Sequence, residues 1–355
     1  MTSENARDWS NRGRENTQYF VTGATGFIGS HLVDRLVSED HDVIALTRSR
    51  SNAAHLPEAV TVVEGDITEK GSMRNAMAGV DGASNLAAWF QVGPGSWNVE
   101  TVERINVEGT RNVLELMAEL DVPKDVYVST VGVYGNTGGD VIDESYRSPN
   151  SLPSVYQRTK WRTHYEVAEP MTDDGLSLVI ATLGAIFGPG DKDYGGTPRT
   201  AFRDYLRGDL PMVPREFTLP FDCVEDTARI LGQAMNRGEP GEEYVVSSEP
   251  RRLVEVFDLA EEISGVPAPR AVPSALFRWL GHGMAGVERV TRPPEGFESE
   301  LLRFFDSGEV LVDNTKARRD LGIEHRPLEA GLREYLDWEM KQPGMRAETG
   351  EVSDR

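Results

Sequence analysis

The strongest constraint on the fold is a glycine-rich turn that joins a short apolar run to a helical pattern. Residues 18–22 are β-prone, Gly23, Gly26 and Gly29 follow at intervals of three, and apolar residues then recur at helical spacing as far as Val37. Glycines let a backbone approach phosphates closely, and a helix N-terminus offers free N–H groups and partial positive charge. The spacing differs from the standard Gly-x-Gly-x-x-Gly fingerprint, but its position between strand and helix predicts a dinucleotide pyrophosphate site.

Strand-like runs alternate with helical patterns through the first half of the chain. The predicted strands are 18–22, 42–47, 60–66, 82–88, 125–130 and 177–182, and the predicted helices are 27–37, 70–77, 99–120 and 155–171. This alternation predicts an α/β fold with a Rossmann-type, doubly wound parallel sheet.

After residue 190 the predicted elements become shorter and turn residues more frequent. Helices are expected at 198–207, 224–236, 253–263, 273–285 and 328–341. We predict a disordered leader at 1–16, a Rossmann domain at 17–188, a smaller α+β substrate-binding lobe at 189–342 and a disordered tail at 343–355. Some segments of the lobe are expected to return to the Rossmann domain.

Composition narrows the classes of partner. The chain has 355 residues, with 37 Lys and Arg against 58 Asp and Glu, and a net charge of −21. Like-charge repulsion disfavours nucleic acid and anionic membrane surfaces. A membrane span and a secretory signal are not expected, because the required apolar stretches are missing. A single cysteine, Cys223, excludes an internal disulfide, and the histidine spacing predicts no metal site. We therefore expect a cytoplasmic protein.

The basic residues include only six lysines. An acidic, lysine-poor surface suits a cytoplasm with concentrated salt, where repulsion is screened, so we hypothesise a salt-adapted source. The alternative is an ordinary acidic protein from a GC-rich genome. If the hypothesis holds, activity and stability rise as KCl is added; full activity in dilute buffer would contradict it.

The end of the second predicted strand bears on the choice of cofactor. An acidic residue there binds the ribose 2′-OH of NAD, whereas arginine accommodates the 2′-phosphate of NADP. This chain has Arg48, with Arg50 close by, and no carboxylate. The sequence therefore favours NADP over NAD. Asp66 and Ile67 follow the third strand and are expected beside the adenine, although Asp66 also suits a turn or helix cap.

Tyr156 and Lys160 lie four residues apart on a predicted helix and share one face. A lysine cation one turn away favours a phenolate, so we expect Lys160 to lower the pKa of Tyr156 and make it a usable acid or base. Ser129 and Thr130 place hydroxyls at the end of a predicted parallel strand, where ligands bind in open α/β sheets. Such a hydroxyl is able to donate to a carbonyl oxygen.

The sequence resembles the extended branch of the short-chain dehydrogenase/reductase superfamily. The matching segments are 22–29, 65–67, 86–88, 106–110, 129–135, 156–160, 187–191 and 224–228. The resemblance implies a catalytic Tyr156 with Lys160 as its partner, and it places the family's Ser/Thr at Thr130, with Ser129 as the alternative. It also implies NAD or NADP with the nicotinamide near Tyr156, and it is compatible with a homodimer.

The motifs and the resemblance together assign the cofactor-binding residues. They are Gly23, Thr25, Gly26, Phe27, Ile28, Gly29, Arg48, Asp66, Ile67, Leu86, Ala87, Ala88, Asn106, Tyr156, Lys160 and Ile186. Trp89, Phe90 and Trp97 are candidates for the substrate pocket or for core packing. Arg199 is expected to be a surface residue.

Two branches of the superfamily compete. Nucleotide-sugar epimerases and dehydratases usually carry arginine where this chain has Thr182, and often histidine where it has Cys223. Segments 195–199, 236–244 and 313–322 are similar to the dihydroflavonol-reductase-like group, which reduces ketones or aldehydes with NADPH. We therefore favour an NADP-dependent oxidoreductase acting on a small-molecule carbonyl or alcohol, with an NDP-sugar epimerase or dehydratase holding NAD tightly as the alternative. A third hypothesis, a non-catalytic dinucleotide sensor or RNA-associated protein, is disfavoured by the intact Thr130, Tyr156 and Lys160.

Overall fold

The computed structural model describes residues 17–90, 99–149, 152–190, 198–288, 291, 299–305, 308–343 and 345. The strands are β1 (Gln18–Thr22), β2 (Asp42–Thr47), β3 (Thr61–Glu64), β4 (Gly82–Asn85), β5 (Asp125–Thr130), β6 (Leu178–Leu183), β7 (Ala185–Phe187), β8 (Met212–Pro214), β9 (Thr218–Cys223), β10 (Glu243–Val245), β11 (Pro250–Arg252) and β12 (Arg270–Val272). Seven of them form one parallel sheet in the order β10-β6-β5-β4-β1-β2-β3. The order reverses between β4 and β1, which is where a doubly wound sheet binds its ligand. The predicted Rossmann-type α/β fold is confirmed.

The helices cover both faces of this sheet and build the rest of the chain. They are α1 (Phe27–Ser38), α2 (Lys70–Met77), α3 (Val99–Glu103), α4 (Thr110–Glu119), α5 (Val155–Thr163), α6 (Glu169–Asp173), α7 (Pro198–Arg207), α8 (Val224–Arg237), α9 (Leu253–Ser264), α10 (Ser274–Val287), α11 (Ser299–Phe305), α12 (Thr315–Leu321) and α13 (Leu328–Glu339). Along the described part of the chain, none of these helices has the length and apolar character needed to span a membrane.

The two longest predicted helices of the Rossmann half each contain a π-helical segment. Arg104–Gly109 separates α3 from α4, and His164–Ala168 separates α5 from α6. Apolar periodicity alone cannot detect one extra residue per turn, so the sequence predicted unbroken helices. Such segments are rare and often lie at functional sites.

The side chains of successive residues in β1 pack into two different hydrophobic cores. Val21 packs with Leu32 of α1 and Ile230 of α8, whereas Phe20 packs with Met73 and Val113 on the opposite face. Strands that bury both faces are typical of a parallel sheet covered by helices on each side.

The segment after residue 198 contributes to both parts of the molecule. β10 joins the large sheet beside β6, and α8 packs against α1. The smaller sheets β11-β9-β7 and β12-β8 surround a separate aromatic core that includes Phe202, Phe257 and Tyr335. The predicted leader and almost all of the predicted tail lie outside the described residues.

A buried carboxyl group at the start of β5 makes stability depend on pH. Asp125 is fully buried, and this burial raises its pKa to about 7, opposed by a hydrogen bond from the Val126 amide. Because the pKa of Asp125 is higher in the folded protein than in the unfolded chain, folding takes up a proton between these two pKa values. The free energy of unfolding therefore falls as pH rises from about 4 to about 7. We expect Asp125→Asn to gain about 2–3 kcal/mol over the wild type between pH 5 and pH 8.

Urea unfolding midpoints of the wild type and Asp125→Asn at the two pH values measure this difference. Asp258→Asn, at an exposed position on α9, is the matched control. A difference between wild type and Asp125→Asn that does not change with pH would rule out titration of Asp125 as the cause.

Candidate active site

The glycine turn folds tightly against the start of α1. The Gly26 amide donates to Gly23 O at 2.9 Å, and Gly23 has a φ of +69°, a left-handed conformation that favours glycine. A Cβ on Gly29 would lie 2.1 Å from Gly23 O, and one on Gly23 would lie 2.8 Å from the Ala87 amide nitrogen. Glycine is therefore required at both positions for the turn to close between α1 and the segment after β4.

The N-terminus of α1 fits a dinucleotide pyrophosphate. Gly26 is the N-cap, and glycine has no side chain with which to cap the first amide groups of the helix. These N–H groups and the partial positive charge of a helix of 12 residues suit a phosphate anion. The structure brings together the predicted pyrophosphate residues Gly23, Thr25, Gly26, Phe27, Ile28 and Gly29 at the carboxyl end of β1.

A polar clamp that the sequence analysis missed fixes the other wall of this crevice. Thr22 Oγ1 donates to Asn85 Oδ1 at 2.8 Å, and the Ala87 amide donates to Thr22 Oγ1 at 3.2 Å. The clamp joins the ends of β1 and β4, so it holds the predicted cofactor residues Leu86, Ala87 and Ala88 beside the glycine turn. The only sequence signal was a polar residue at the end of each strand.

The residues predicted for the adenosine half follow β2 and β3. Arg48 is exposed directly after β2, and Ile67 is buried after β3. Asp66 Oδ1 accepts hydrogen bonds from the amide and the hydroxyl of Thr68 at 2.9 and 2.8 Å. One carboxylate oxygen of Asp66 thus stabilises its own turn, and the contact with adenine remains a prediction.

Helix α5, which carries Tyr156 and Lys160, starts at a capping box. Ser154 Oγ accepts from the Gln157 amide at 3.1 Å, and the Gln157 side chain accepts in return from the Ser154 amide. Gln157 Nε2 also donates to Gly132 O at 3.3 Å, which ties the start of α5 to the turn after β5. This contact sets Tyr156 beside Thr130, whose hydroxyl lowers the pKa of Tyr156 against the effect of burial.

The structure distinguishes Thr130 from Ser129. Neighbouring residues of a strand point to opposite faces, and Ser129 Oγ lies 2.8 Å from His164 Nδ1 inside the protein. Thr130 is the one whose hydroxyl acts on the pKa of Tyr156. The assignment of the family's Ser/Thr to Thr130 remains a prediction.

The environment of Lys160 differs from the expectation. Lys160 Nζ donates to Val128 O at 2.8 Å and lies 4.6 Å from the centre of the Tyr127 ring. Burial lowers the pKa of Lys160 to about 7. Burial also raises the pKa of Tyr156, and the hydrogen bond with Thr130 opposes that rise only in part. The expected lowering of the Tyr156 pKa by Lys160 is therefore not found in this structure, because burial dominates both groups.

Asn106 lies in the first π segment and is almost fully buried. Its Oδ1 accepts from the Trp89 amide at 2.6 Å, and its Nδ2 donates to Trp89 O at 3.2 Å and to Thr159 Oγ1 at 3.1 Å. Both amide hydrogens are thus used within the protein. These bonds fix the Trp89 backbone and Thr159 relative to each other, and the cofactor contact of Asn106 remains a prediction.

Aromatic side chains border Tyr156. The Phe90 ring lies 4.7 Å from the Tyr156 ring, edge to face. Asn106 bonds to the backbone of Trp89 and to Thr159 of α5, so Trp89 is held against α5. Trp97, the third predicted aromatic, lies outside the described residues.

Other predicted positions are mostly structural. Ile186 is buried in β7, and Thr182 donates to Glu243 Oε1 at 3.0 Å. Arg199 was expected at the surface, but it is buried and paired with Glu339, with 3.0 Å between Nε and Oε2. The expectation was wrong because α7 faces α13, whose buried carboxylate could not be located from sequence.

Comparison with known proteins agrees with this geometry. The model of the NAD dependent epimerase/dehydratase family matches residues 19–247. The chain belongs to this family. This match confirms the resemblance to extended short-chain dehydrogenases/reductases. It also confirms that the protein is an NAD(P)-dependent enzyme.

Among similar family members, the putative dihydroflavonol 4-reductase of Synechocystis is 30% identical over 335 residues, which is 90% of this chain and 94% of the relative. Sterol demethylase protein B of Methylococcus capsulatus is 29% identical over 331 residues, 92% of this chain and 98% of the relative. The solved structure of a protein called gox2253 shares 26% identity and a TM-score of 0.76, covering 93% of this chain and 99% of its own.

Proposed function

We propose that this enzyme is an NADP-dependent oxidoreductase that transfers a hydride between the nicotinamide and a carbonyl or alcohol substrate. The observation that carries the proposal is the pair formed by Thr130, at the carboxyl end of β5, and Tyr156 on α5, whose pKa the Thr130 hydroxyl lowers against the effect of burial. This pair lies at the same edge of the sheet as the glycine turn, across the switch point between β4 and β1. Similarity to a putative dihydroflavonol 4-reductase supports a reductase.

Each of the three catalytic residues has a distinct role in the proposal. A bound nicotinamide supplies or accepts the hydride. Tyr156 donates a proton to the substrate oxygen during reduction and removes it during oxidation. Thr130 orients the Tyr156 hydroxyl and donates to the same substrate oxygen. Lys160, with its pKa near 7, returns the proton to Tyr156 from its buried position.

Neighbouring residues hold Thr130, Tyr156 and Lys160 in place and keep water away from them. Gln157 links α5 to the turn after β5, and Asn106 links α5 to the segment after β4. Phe90 covers one side of Tyr156. The apolar surroundings raise the pKa of Tyr156, so we infer that the hydroxyl stays protonated until a substrate oxygen accepts the proton.

Arg48 is proposed to select NADP through the 2′-phosphate. Removing a charge-assisted bond to phosphate costs about 1.5–3 kcal/mol, so Arg48→Ala should raise the Kd of NADPH about 10- to 100-fold. The Kd of NADH should change little. Titration of protein fluorescence with each cofactor measures both values.

Arg50→Ala is the matched control for Arg48, because Arg50 lies two residues away and its side chain faces Glu64, with 4.0 Å between Nε and Oε2. We expect nearly wild-type NADPH binding by that variant. Equal losses of NADPH and NADH affinity in Arg48→Ala would reject the proposed preference.

An NDP-sugar epimerase or dehydratase is the second candidate, since the family includes both reactions by name. Such an enzyme recycles its NAD, whereas a reductase exchanges its cofactor with solvent. Mass spectrometry of small molecules released from the purified protein tells these apart. The proposal expects little co-purifying cofactor and saturable binding of added NADPH; stoichiometric bound NAD would favour the second candidate.

A further inference from the structure

A buried polar cluster lies next to the catalytic helix and takes no part in the proposed reaction. Its members are His164 in the second π segment, Glu169 at the start of α6 and Glu243 on β10. The side chains are 0%, 22% and 10% exposed, respectively. The cluster therefore joins the end of the catalytic helix to the edge of the large sheet.

The distances within the cluster match a metal coordination sphere. His164 Nε2 lies 3.3 Å from Glu243 Oε2 and 3.9 Å from Glu169 Oε1. Two ligand atoms bound tetrahedrally to zinc at 2.0–2.1 Å are themselves roughly 3.3 Å apart. One ion placed between these three atoms would therefore need only small side-chain movements.

The histidine is oriented as a metal ligand would be. With the ring proton on Nδ1, His164 donates to Ser129 Oγ at 2.8 Å, and Nε2 presents its lone pair to the two carboxylates. Nε2 is fully buried and has no partner in hydrogen-bonding geometry in the described part of the chain. A buried nitrogen of this kind is costly unless something binds it.

The carboxylates are also held in place. Tyr134 and Thr182 donate to Glu243 Oε1 at 2.7 and 3.0 Å, so its Oε2 is turned toward His164. Glu169 Oε1 forms an ion pair with Arg147, with 3.1 Å between Oε1 and Nη2, and the Arg147 side chain is 60% exposed. Arg147 is therefore able to swing into solvent when a divalent cation replaces it.

We propose that His164, Glu169 and Glu243 bind one divalent transition-metal ion, with Zn²⁺ as the best match to one imidazole and two carboxylates. The ion would fasten α5 and α6 to β10, and so fix the helix that carries Tyr156 and Lys160. Its role would be structural. The sequence analysis predicted no metal site, because the three ligands are spread over eighty residues and one of them lies on a strand.

Calorimetric titration of the full, untagged chain with ZnCl₂ tests the proposal. We expect one equivalent to bind, with affinity lowered at least about ten-fold in both Glu169→Gln and Glu243→Gln. Glu166→Gln is the matched control, since Glu166 lies in the same π segment but is 49% exposed and paired with Arg162. Its affinity should be that of the wild type. Arg147→Gln should bind Zn²⁺ more tightly, because it removes the competing cation.

Thermal unfolding gives a second readout that does not depend on activity. Added Zn²⁺ should raise the Tm of the wild type and of Glu166→Gln, but not that of Glu169→Gln. The proposal is overturned if the wild type binds no single equivalent, or if Glu169→Gln and Glu243→Gln bind Zn²⁺ as well as Glu166→Gln does. In that case the cluster is a buried ion pair between imidazolium and carboxylate.

Discussion

Replacing Tyr156 with phenylalanine should lower kcat for carbonyl reduction by about 10³-fold, within the 10²- to 10⁴-fold range of a general acid. The substitution removes the hydroxyl whose pKa Thr130 lowers, on the face of α5 shared with Lys160. The ring remains, so its packing against Phe90 is kept and the Kd of NADPH should change by less than about threefold. Steady-state kinetics and a cofactor titration on the same preparation measure both effects.

Tyr146→Phe is the matched control for this substitution. Tyr146 packs edge to face against Tyr134, outside the proposed catalytic group. We expect it to keep nearly wild-type kcat. Full turnover by Tyr156→Phe would show that the proton comes from another group, even if NADPH binding stayed intact.

The second large effect is expected at the glycine turn. Alanine at position 29 would place a Cβ 2.1 Å from Gly23 O, and that backbone oxygen has no room to move because the Gly26 amide is bonded to it. The turn must shift away from the helix, which moves the phosphate-binding N–H groups. We expect Gly29→Ala to raise the Kd of NADPH about 100-fold, a loss of roughly 2.7 kcal/mol.

Gly71→Ala is a suitable control, because it lies exposed on α2 and a Cβ there would meet no atom within 4 Å. It should bind NADPH normally and be slightly more stable, since alanine is the better helix former. Circular dichroism of Gly29→Ala establishes that the fold persists. Wild-type NADPH binding by a folded Gly29→Ala would place the pyrophosphate elsewhere.

Local patterns were enough to predict the frame of the Rossmann half. β1, β2 and α2 begin and end where apolar spacing and turn residues put them, because neighbouring residues decide those boundaries. Tyr156 and Lys160 were also predictable, since their spacing on one helix is a local property. Thr130 was preferred to Ser129 from the motif, and the alternation of β5 agrees.

Contacts between distant parts of the chain were not predictable in the same way. Asn106 bonds to Trp89 and Thr159, and Glu243 reaches His164 from a short edge strand. No periodic pattern links such residues, and one sequence carries no covariation. The pKa of Tyr156 was misjudged for a related reason: spacing reveals Lys160 as the partner but not the depth of burial, and burial dominates the shift.

Transfer of deuterium from NADPH labelled at C4 tests the central claim most directly. The purified enzyme is incubated with the labelled cofactor and a panel of aldehydes and ketones, and the alcohols are analysed by mass spectrometry. If NADPH binds exchangeably at the glycine turn and Tyr156 supplies the proton, the wild type should form an alcohol that carries one deuterium. Tyr156→Phe should form almost no labelled alcohol. An enzyme that keeps stoichiometric NAD through purification and labels no alcohol would contradict it.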